Sequence, residues 1–199
     1  MFKRLFRLTS SGPNGQQNAA AEAANSFESP NIKSLAIDLL CSDHGARLQL
    51  TRDEAKIVVS YLQEKRFPPG KMVLAEGEQK NVDYLLVVID GDVAVETIMV
   101  GQAEPMMITV LGAGSFLGEL GVIDGGPRST TCTAASELIC GLLKGEALEA
   151  LIDAHPKVAV KLMLLISKRL AERLRDNTEK LKVSVQLGKT MFQELLENN

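Results

Sequence analysis

Between Lys71 and Leu143 the apolar residues fall into short runs separated by glycine, a pattern that a bundle of helices cannot accommodate. The runs are Met72–Leu74, Tyr84–Ile89, Val93–Met99, Met107–Val110, Thr130–Ala134 and Leu138–Leu143, rich in Val, Ile, Leu and Thr. Gly77, Gly101 and Gly112 to Gly114 mark turns between them. Asp90-Gly91, set between two apolar runs, predicts a hairpin, because Asp-Gly accepts the positive φ of a type I′ turn. Many short strands at close spacing imply an antiparallel sandwich or barrel. No parallel βαβ repeat is visible, which argues against Rossmann and P-loop enzymes.

The segments on either side read as helical. Ile32, Leu35, Ile37, Leu39 and Leu40 suggest a short helix. Thr51 and Glu54 have the spacing of a capping box, and Ala55, Val58, Tyr61 and Leu62 follow at helical spacing. Phe67-Pro68-Pro69-Gly70 is expected to end that helix. Beyond Leu143, Ala147, Leu148, Leu151 and Ile152 predict a short helix closed by His155-Pro156, and Pro156 suits the first turn of the next one. That next helix is expected to reach about Leu187, roughly 48 Å at 1.5 Å per residue. It carries a heptad seam of Val160, Met163, Ser167, Leu170, Leu174, Asn177, Leu181 and Ser184, which fits pairing with a second copy of the chain. Gly188 is expected to interrupt it, leaving Met191 to Leu196 as a short terminal helix.

Composition narrows the function. The three cysteines, Cys41, Cys132 and Cys140, are odd in number and lack metal-type spacing, so a reducing, cytoplasmic compartment is expected and a disulfide framework is not. His44 and His155 are the only histidines, too few for His-rich metal sites. With no Trp and two Tyr, aromatic platforms for single-stranded nucleic acid are not expected. The net charge of −3 hides a division: residues 156–189 carry nine bases against three acids, whereas the body is acidic. Such a helix binds a polyanion or turns its charge toward the molecule's own carboxylates. At the start, MFKRLFRL (residues 1–8) places Phe2, Leu5 and Phe6 on one helical face flanked by Lys3, Arg4 and Arg7. It reads as a basic amphipathic peptide for weak membrane-surface or partner contact, or as a loose terminus. Residues 9–30, small and polar, read as a flexible linker.

The chemistry is concentrated in Gly114 to Thr131, GSFLGELGVIDGGPRSTT. Glycines let backbone N–H groups approach an anion closely, and a helical turn over Phe116 to Gly121 would aim further N–H groups at the same place. Arg128 offers a planar two-pronged donor for phosphate oxygens, and Ser129 adds a hydroxyl. Phosphate would repel Glu119, so the carboxylate suits a sugar hydroxyl. An anion clamp and a ribose clamp nine residues apart describe a nucleotide whose phosphate lies close to its sugar.

GELGVIDGGPRST resembles the phosphate-binding cassette of the cyclic nucleotide-binding domain family, in its catabolite activator protein-like branch. FPPGKMVLAEGE, DYLLVVIDGDVAV and ITVLGAGSFLGEL resemble the family's surrounding strands, and the likeness covers about residues 31–187. It implies an α+β fold: an antiparallel β-roll of double-stranded β-helix or jelly-roll type, flanked by N-terminal helices and a long C-terminal helix. It also implies roles: Glu119 for the ribose 2′-hydroxyl, Arg128 and Ser129 for the cyclic phosphate, and Gly118 and Leu120 for the backbone lining. Thr130 stands where the family usually has Ala, and with Asn177 and Thr178 is a candidate for contacting the base.

The expected organisation is a nucleotide-binding roll with its flanking helices over 31–155 and a dimerisation and output helix over 156–199. Eleven residues follow Gly188, too few for a winged helix-turn-helix. The expectation is therefore a stand-alone receptor for cAMP, or for cGMP, with no cofactor and no metal. It would form a homodimer and signal to an unidentified effector protein. Nucleic acid is not an expected partner. No nucleophile–base pair accompanies the pocket, so an enzyme is not expected. The competing reading is a ligand-free roll that serves as an interaction scaffold.

Overall fold

β3 (Tyr84–Asp90) shows how the strands are used. Leu85, Val87 and Ile89 point to one side of the sheet and Leu86 and Val88 to the other, and all five are buried. A strand covered on both faces loses the polar alternation of a half-exposed one, hence the unbroken apolar run. The computed structural model of the chain describes residues 27, 29–42, 49–80, 82–98 and 105–197. The amphipathic peptide at 1–8 and nearly all of the linker at 9–30 lie outside the described residues.

In chain order the remaining elements are α1 (Pro30–Cys41), α2 (Arg52–Ser60), β1 (Gln63–Phe67), β2 (Met72–Leu74), β4 (Val93–Ile98), β5 (Pro105–Leu111), β6 (Phe116–Leu117), α3 (Glu119–Asp124), β7 (Thr131–Ala134), β8 (Leu138–Lys144), α4 (Gly145–Ala154) and α5 (Pro156–Glu197). The strands form two four-stranded antiparallel sheets, ordered β1-β8-β3-β6 and β2-β7-β4-β5. This is the expected α+β roll. Leu74, Leu86, Val88, Val93, Leu117 and Cys140 fill the space between the sheets. The outer face of the first sheet presents Leu85, Val87, Ile89 and Leu143 to a second core built with Val58, Leu151, Leu162 and Ile166 from the helices. A fully buried Leu or Ile contributes about 2 kcal/mol, so Leu162 and Ile166 fix the first turns of α5 against the roll.

Four expectations about local structure need correction. The Asp90-Gly91 turn does not close a hairpin: β3 and β4 belong to different sheets, and the turn carries the chain from one to the other. Gly91 does adopt positive φ (90°), and a Cβ there would collide with the carbonyl oxygen of Glu137. Second, α2 stops at Ser60, and Gln63–Phe67 is a strand paired with β8 from Gln63↔Leu142 to Phe67↔Leu138. Its QEKRF sequence has no apolar alternation because it is an edge strand. Third, Phe116–Leu117 is a two-residue strand, and the helical turn begins after it, at Glu119.

Fourth, α5 runs unbroken for 42 residues, so Gly188 ends nothing and no separate terminal helix exists. A glycine in an exposed helix interior costs about 1 kcal/mol relative to alanine, which strong neighbouring helix formers absorb. At 1.5 Å per residue α5 is roughly 63 Å long. Met163 and Leu170, expected in its seam, pack instead against the helix-side core.

The capping box of α2 is present in both directions: Glu54 N donates to Thr51 Oγ1 at 3.3 Å, and Thr51 N donates to Glu54 Oε2 at 2.8 Å. The carbonyl of His155 accepts from Val158 and Ala159, which starts α5 beside Pro156. Lys161 turns its charge onto the body, as its Nζ lies 2.7 Å from the Glu54 carboxylate. Among the described residues, no helix is long and apolar enough to cross a membrane.

Candidate nucleotide site

Glu119 and Arg128 are the two charged residues buried as a whole, backbone and side chain together, among the described residues, 3% and 4% exposed. Burying a charge is costly unless it is paired and hydrogen-bonded, so their surroundings carry the information. β6 leads into Gly118, which takes the left-handed conformation (φ 73°) and hands the chain to α3, a six-residue helix that starts at Glu119. Gly125 (φ 68°) ends α3, and Pro127 returns the chain to Arg128 and β7. The return is pinned by backbone bonds: Arg128 N donates to Glu78 O at 2.9 Å, and Gly77 N donates to Arg128 O at 2.8 Å.

From there the Arg128 side chain folds back under α3. Nη1 donates to Gly118 O at 2.6 Å and Nη2 to Tyr84 O at 3.1 Å, while the guanidinium lies 4.5 Å from the centre of the Tyr84 ring. Its Nε is buried with no hydrogen-bond partner, so one donor of the fork is unsatisfied. A Cβ on Gly118 would collide with Nη1, and one on Gly121 would stand 3.1 Å from Nη1 and 2.9 Å from Val82 O. These two glycines make the room that the guanidinium occupies.

Glu119 is held from the other side. Arg173, on α5, donates from Nη1 to Glu119 Oε1 at 2.9 Å and from Nη2 to Phe116 O at 2.9 Å. The cassette and the long helix are therefore joined through the carboxylate expected to take the ribose. Sequence reasoning missed Arg173 and Tyr84. Arg173 was findable: it continues the stripe Leu162, Ile166, Leu170 by three residues, so its side chain must meet the roll.

The structure brings Gly118, Glu119 and Arg128 together. Ser129 is exposed next to the arginine, Thr130 is half-buried, and Leu120 points outward from α3. Asn177 and Thr178 are exposed on α5, one turn beyond Arg173, and the Thr178 hydroxyl donates to Leu174 O at 2.8 Å. Among the described residues no group of three or more His, Cys, Asp or Glu could hold a metal ion. Chemically, the arrangement offers a planar cation bonded to the carbonyl of Gly118 and a carboxylate on the next residue, where α3 opens.

Residues 64–155 match the model of the cyclic nucleotide-binding domain family. The chain is 31% identical over 113 residues to the CRP-like cAMP-activated global transcriptional regulator of Mycobacterium tuberculosis, covering 55% of this chain and 47% of that protein. It is 32% identical over 123 residues to the cyclic AMP receptor protein of Thermus thermophilus, covering 62% and 56%. The chain thus spans about half the length of the curated relatives it matches. Among solved structures, a cyclic nucleotide-binding domain from Methylobacillus flagellatus superimposes with a TM-score of 0.69 at 26% identity, over 75% of this chain and 82% of that one. The roll with its flanking helices therefore has the fold of a cyclic nucleotide-binding domain.

Proposed function

We propose that this chain is a non-enzymatic receptor for a cyclic nucleotide, cAMP before cGMP, that works in the cytoplasm as a homodimer and signals to a partner protein through α5. The observation that carries this reading is that one glycine-rich cassette holds a buried carboxylate and a buried guanidinium together, Glu119 and Arg128. In this reading the cation meets the phosphate of a cyclic nucleotide and the carboxylate its ribose. On binding, Arg128 exchanges the carbonyls of Gly118 and Tyr84 for phosphate oxygens, with Ser129 adding its hydroxyl. Glu119 accepts from the ribose 2′-hydroxyl. Because Arg173 already grips Glu119, any change at that carboxylate is felt by α5, and the ligand favours one arrangement of the helix over another. Thr130, Asn177 and Thr178 are the groups proposed to meet the base.

A second reading has its own observation. Both charged groups already have protein partners, Arg173 for Glu119 and two carbonyls for Arg128, as they would in a scaffold that has dispensed with ligand. Calorimetric titration of the full chain with cAMP, cGMP and a cyclic dinucleotide separates the two. Saturable heat supports the receptor. No heat at millimolar ligand, with an unshifted melting temperature, leaves the scaffold.

A further inference from the structure

α5 carries a base at every seventh residue: Lys161, Lys168, Arg175, Lys182 and Lys189. At 1.5 Å per residue these recur about every 10.5 Å along one side of the helix. Each stands one residue after Val160, Ser167, Leu174, Leu181 and Gly188, so the stripe flanks the line that holds exposed Leu174 and Leu181. The other flank of that line holds Met163, Leu170, Asn177 and Ser184, which carry no charge.

The first base shows what the stripe takes. Lys161 Nζ lies 2.7 Å from both carboxylate oxygens of Glu54, on α2, a helix in contact with α5. Lys168 lies 3.7 Å from Glu172 within α5 itself. From Leu174 to Thr190 every residue of α5 is exposed, so the last three bases meet no neighbouring helix. Lys182 holds Glu179 at 2.7 Å, but both side chains are exposed, and such an i,i+3 pair contributes little. Arg175 and Lys189 have no hydrogen-bond or ion-pair partner among the described residues. Between Lys180 and Gln193 the sequence holds three bases and no acid.

A second copy of the chain does not supply the missing carboxylates. Charges beside the seam of a two-stranded coil set partner choice and orientation. In a parallel pair the bases face Met163, Leu170, Asn177 and Ser184, and in an antiparallel pair they face one another. The repeat also fits a helix better than a nucleic acid. Positions on one face of another α-helix recur at the same interval, whereas the phosphates of one DNA strand recur about every 3.4 Å.

We propose that Arg175, Lys182 and Lys189 form the docking surface for a helix of another protein that carries carboxylates at seven-residue intervals, continuing along α5 the contact that Glu54 makes with Lys161. This gives a chemistry to the partner of the receptor reading and rests on that reading for its role in signalling. The docking itself needs no nucleotide and is tested without one.

The test is fluorescence anisotropy with the full chain at about 0.1 M salt, where the Debye length of about 10 Å screens charges across a helix. The probe is a labelled Ala- and Gln-rich helical peptide of about 28 residues with Glu at every seventh position, and its counterpart has Gln there. Saturable binding of the Glu peptide is expected, with the Gln peptide weaker by about tenfold. Lys182→Glu should weaken the Glu peptide by about fivefold or more, whereas Lys180→Glu, the same charge change on the opposite side of α5, should leave it within about twofold. Both positions are exposed, and circular dichroism checks that the helix is kept. No saturable binding, equal affinity for the two peptides, or equal losses in the two variants overturns the surface. So does a DNA duplex or an anionic lipid vesicle that the chain holds more tightly than the peptide. A chain that gives no heat with cAMP yet binds the peptide in the expected pattern would sink the receptor reading and leave this one standing; heat with cAMP and no peptide binding does the reverse.

Discussion

Arg173 holds the carboxylate of Glu119 at 2.9 Å across 54 residues of sequence, and the same guanidinium bonds the carbonyl of Phe116. The carboxylate is 4% exposed and the arginine 34%. Removing the arginine leaves a buried charge without its counterion, a change that costs about 3–5 kcal/mol in a fully buried pair and less here because Arg173 is partly solvated. Arg173→Met should therefore lower stability by about 1–3 kcal/mol in urea unfolding. Adding Glu119→Gln should recover part of the loss, since the charge that needed pairing is gone. Strict additivity of the two changes would show that the pair carries no coupling.

Gly118 and Gly125 separate backbone strain from site geometry. Both have positive φ, 73° and 68°, but a Cβ at Gly118 meets the Arg128 guanidinium while one at Gly125 meets nothing within 4 Å. Alanine at either place costs about 1–2 kcal/mol of conformational strain. Gly118→Ala should in addition displace Arg128 and abolish cyclic-nucleotide binding, as Arg128→Ala should, whereas Gly125→Ala should leave affinity within about twofold of the native chain. Glu119→Ala should weaken binding without abolishing it. Calorimetry on the four variants reads this directly, and equal affinities for the two glycine variants would refute the assignment of Arg128.

The roll and its cassette were legible because their signals are local. Glycine-separated β runs fix strands, and a Glu and an Arg in one glycine-rich stretch already stand within a dozen residues of each other. What sequence could not give was long-range. QEKRF becomes a strand only because β8 offers it an edge, and the Asp90-Gly91 turn was misassigned because turn chemistry does not say which sheet the next strand joins. Arg173 lay outside the cassette and reaches it only after Leu162 and Ile166 have docked α5. Tyr84 was invisible for the same reason, since its role depends on a side chain arriving from β7's side of the roll.

The cysteines should divide by reactivity. Burial pushes the Cys132 thiol up to about 11 and the Cys140 thiol up to about 12, and both side chains are enclosed within the roll. The thiolate is the reactive form, so at pH 8 neither should react with a disulfide reagent while the chain is folded. Cys41, half-buried at the end of α1 and also raised by burial, should react slowly. One slow thiol in native protein and three fast ones in urea is the expected count; rapid labelling of Cys140 in the native state would mean that the roll opens.

The tie between α2 and α5 should be sensitive to acid. The hydrogen bond from Lys161, followed by the backbone bond from Thr51, holds the Glu54 carboxyl below its ordinary 4.5. A carboxylate whose folded pKa is depressed stabilises the fold above its unfolded pKa, and that contribution disappears as pH falls through the folded value. Both groups are about a fifth exposed, 22% and 21%, so the effect is about 1 kcal/mol or less. Between pH 6 and pH 3 the native chain should lose more stability than Glu54→Gln does, by that amount. Parallel urea curves for the two proteins across the range would remove Lys161 as the cause.

The exposed face of α5 makes the last prediction. Leu174 and Leu181 are 68% and 64% exposed, and Val160, Leu164 and Val185 are exposed as well. With Ser167, Ala171 and Thr178 between them, these positions advance by alternating steps of four and three, the spacing of a two-stranded coiled coil. Met163 and Leu170 are spent on the core, so this seam is rotated by one residue from the sequence-derived one at alternate positions, and Thr178 takes the place assigned to Asn177. If α5 joins two copies, Leu174→Glu with Leu181→Glu should give a monomer in sedimentation equilibrium, because like charges then face each other across the seam. Asn177→Leu should leave the association unchanged. A native chain that sediments as a monomer at tens of micromolar, or a double variant that still dimerises, would show that this face has another use.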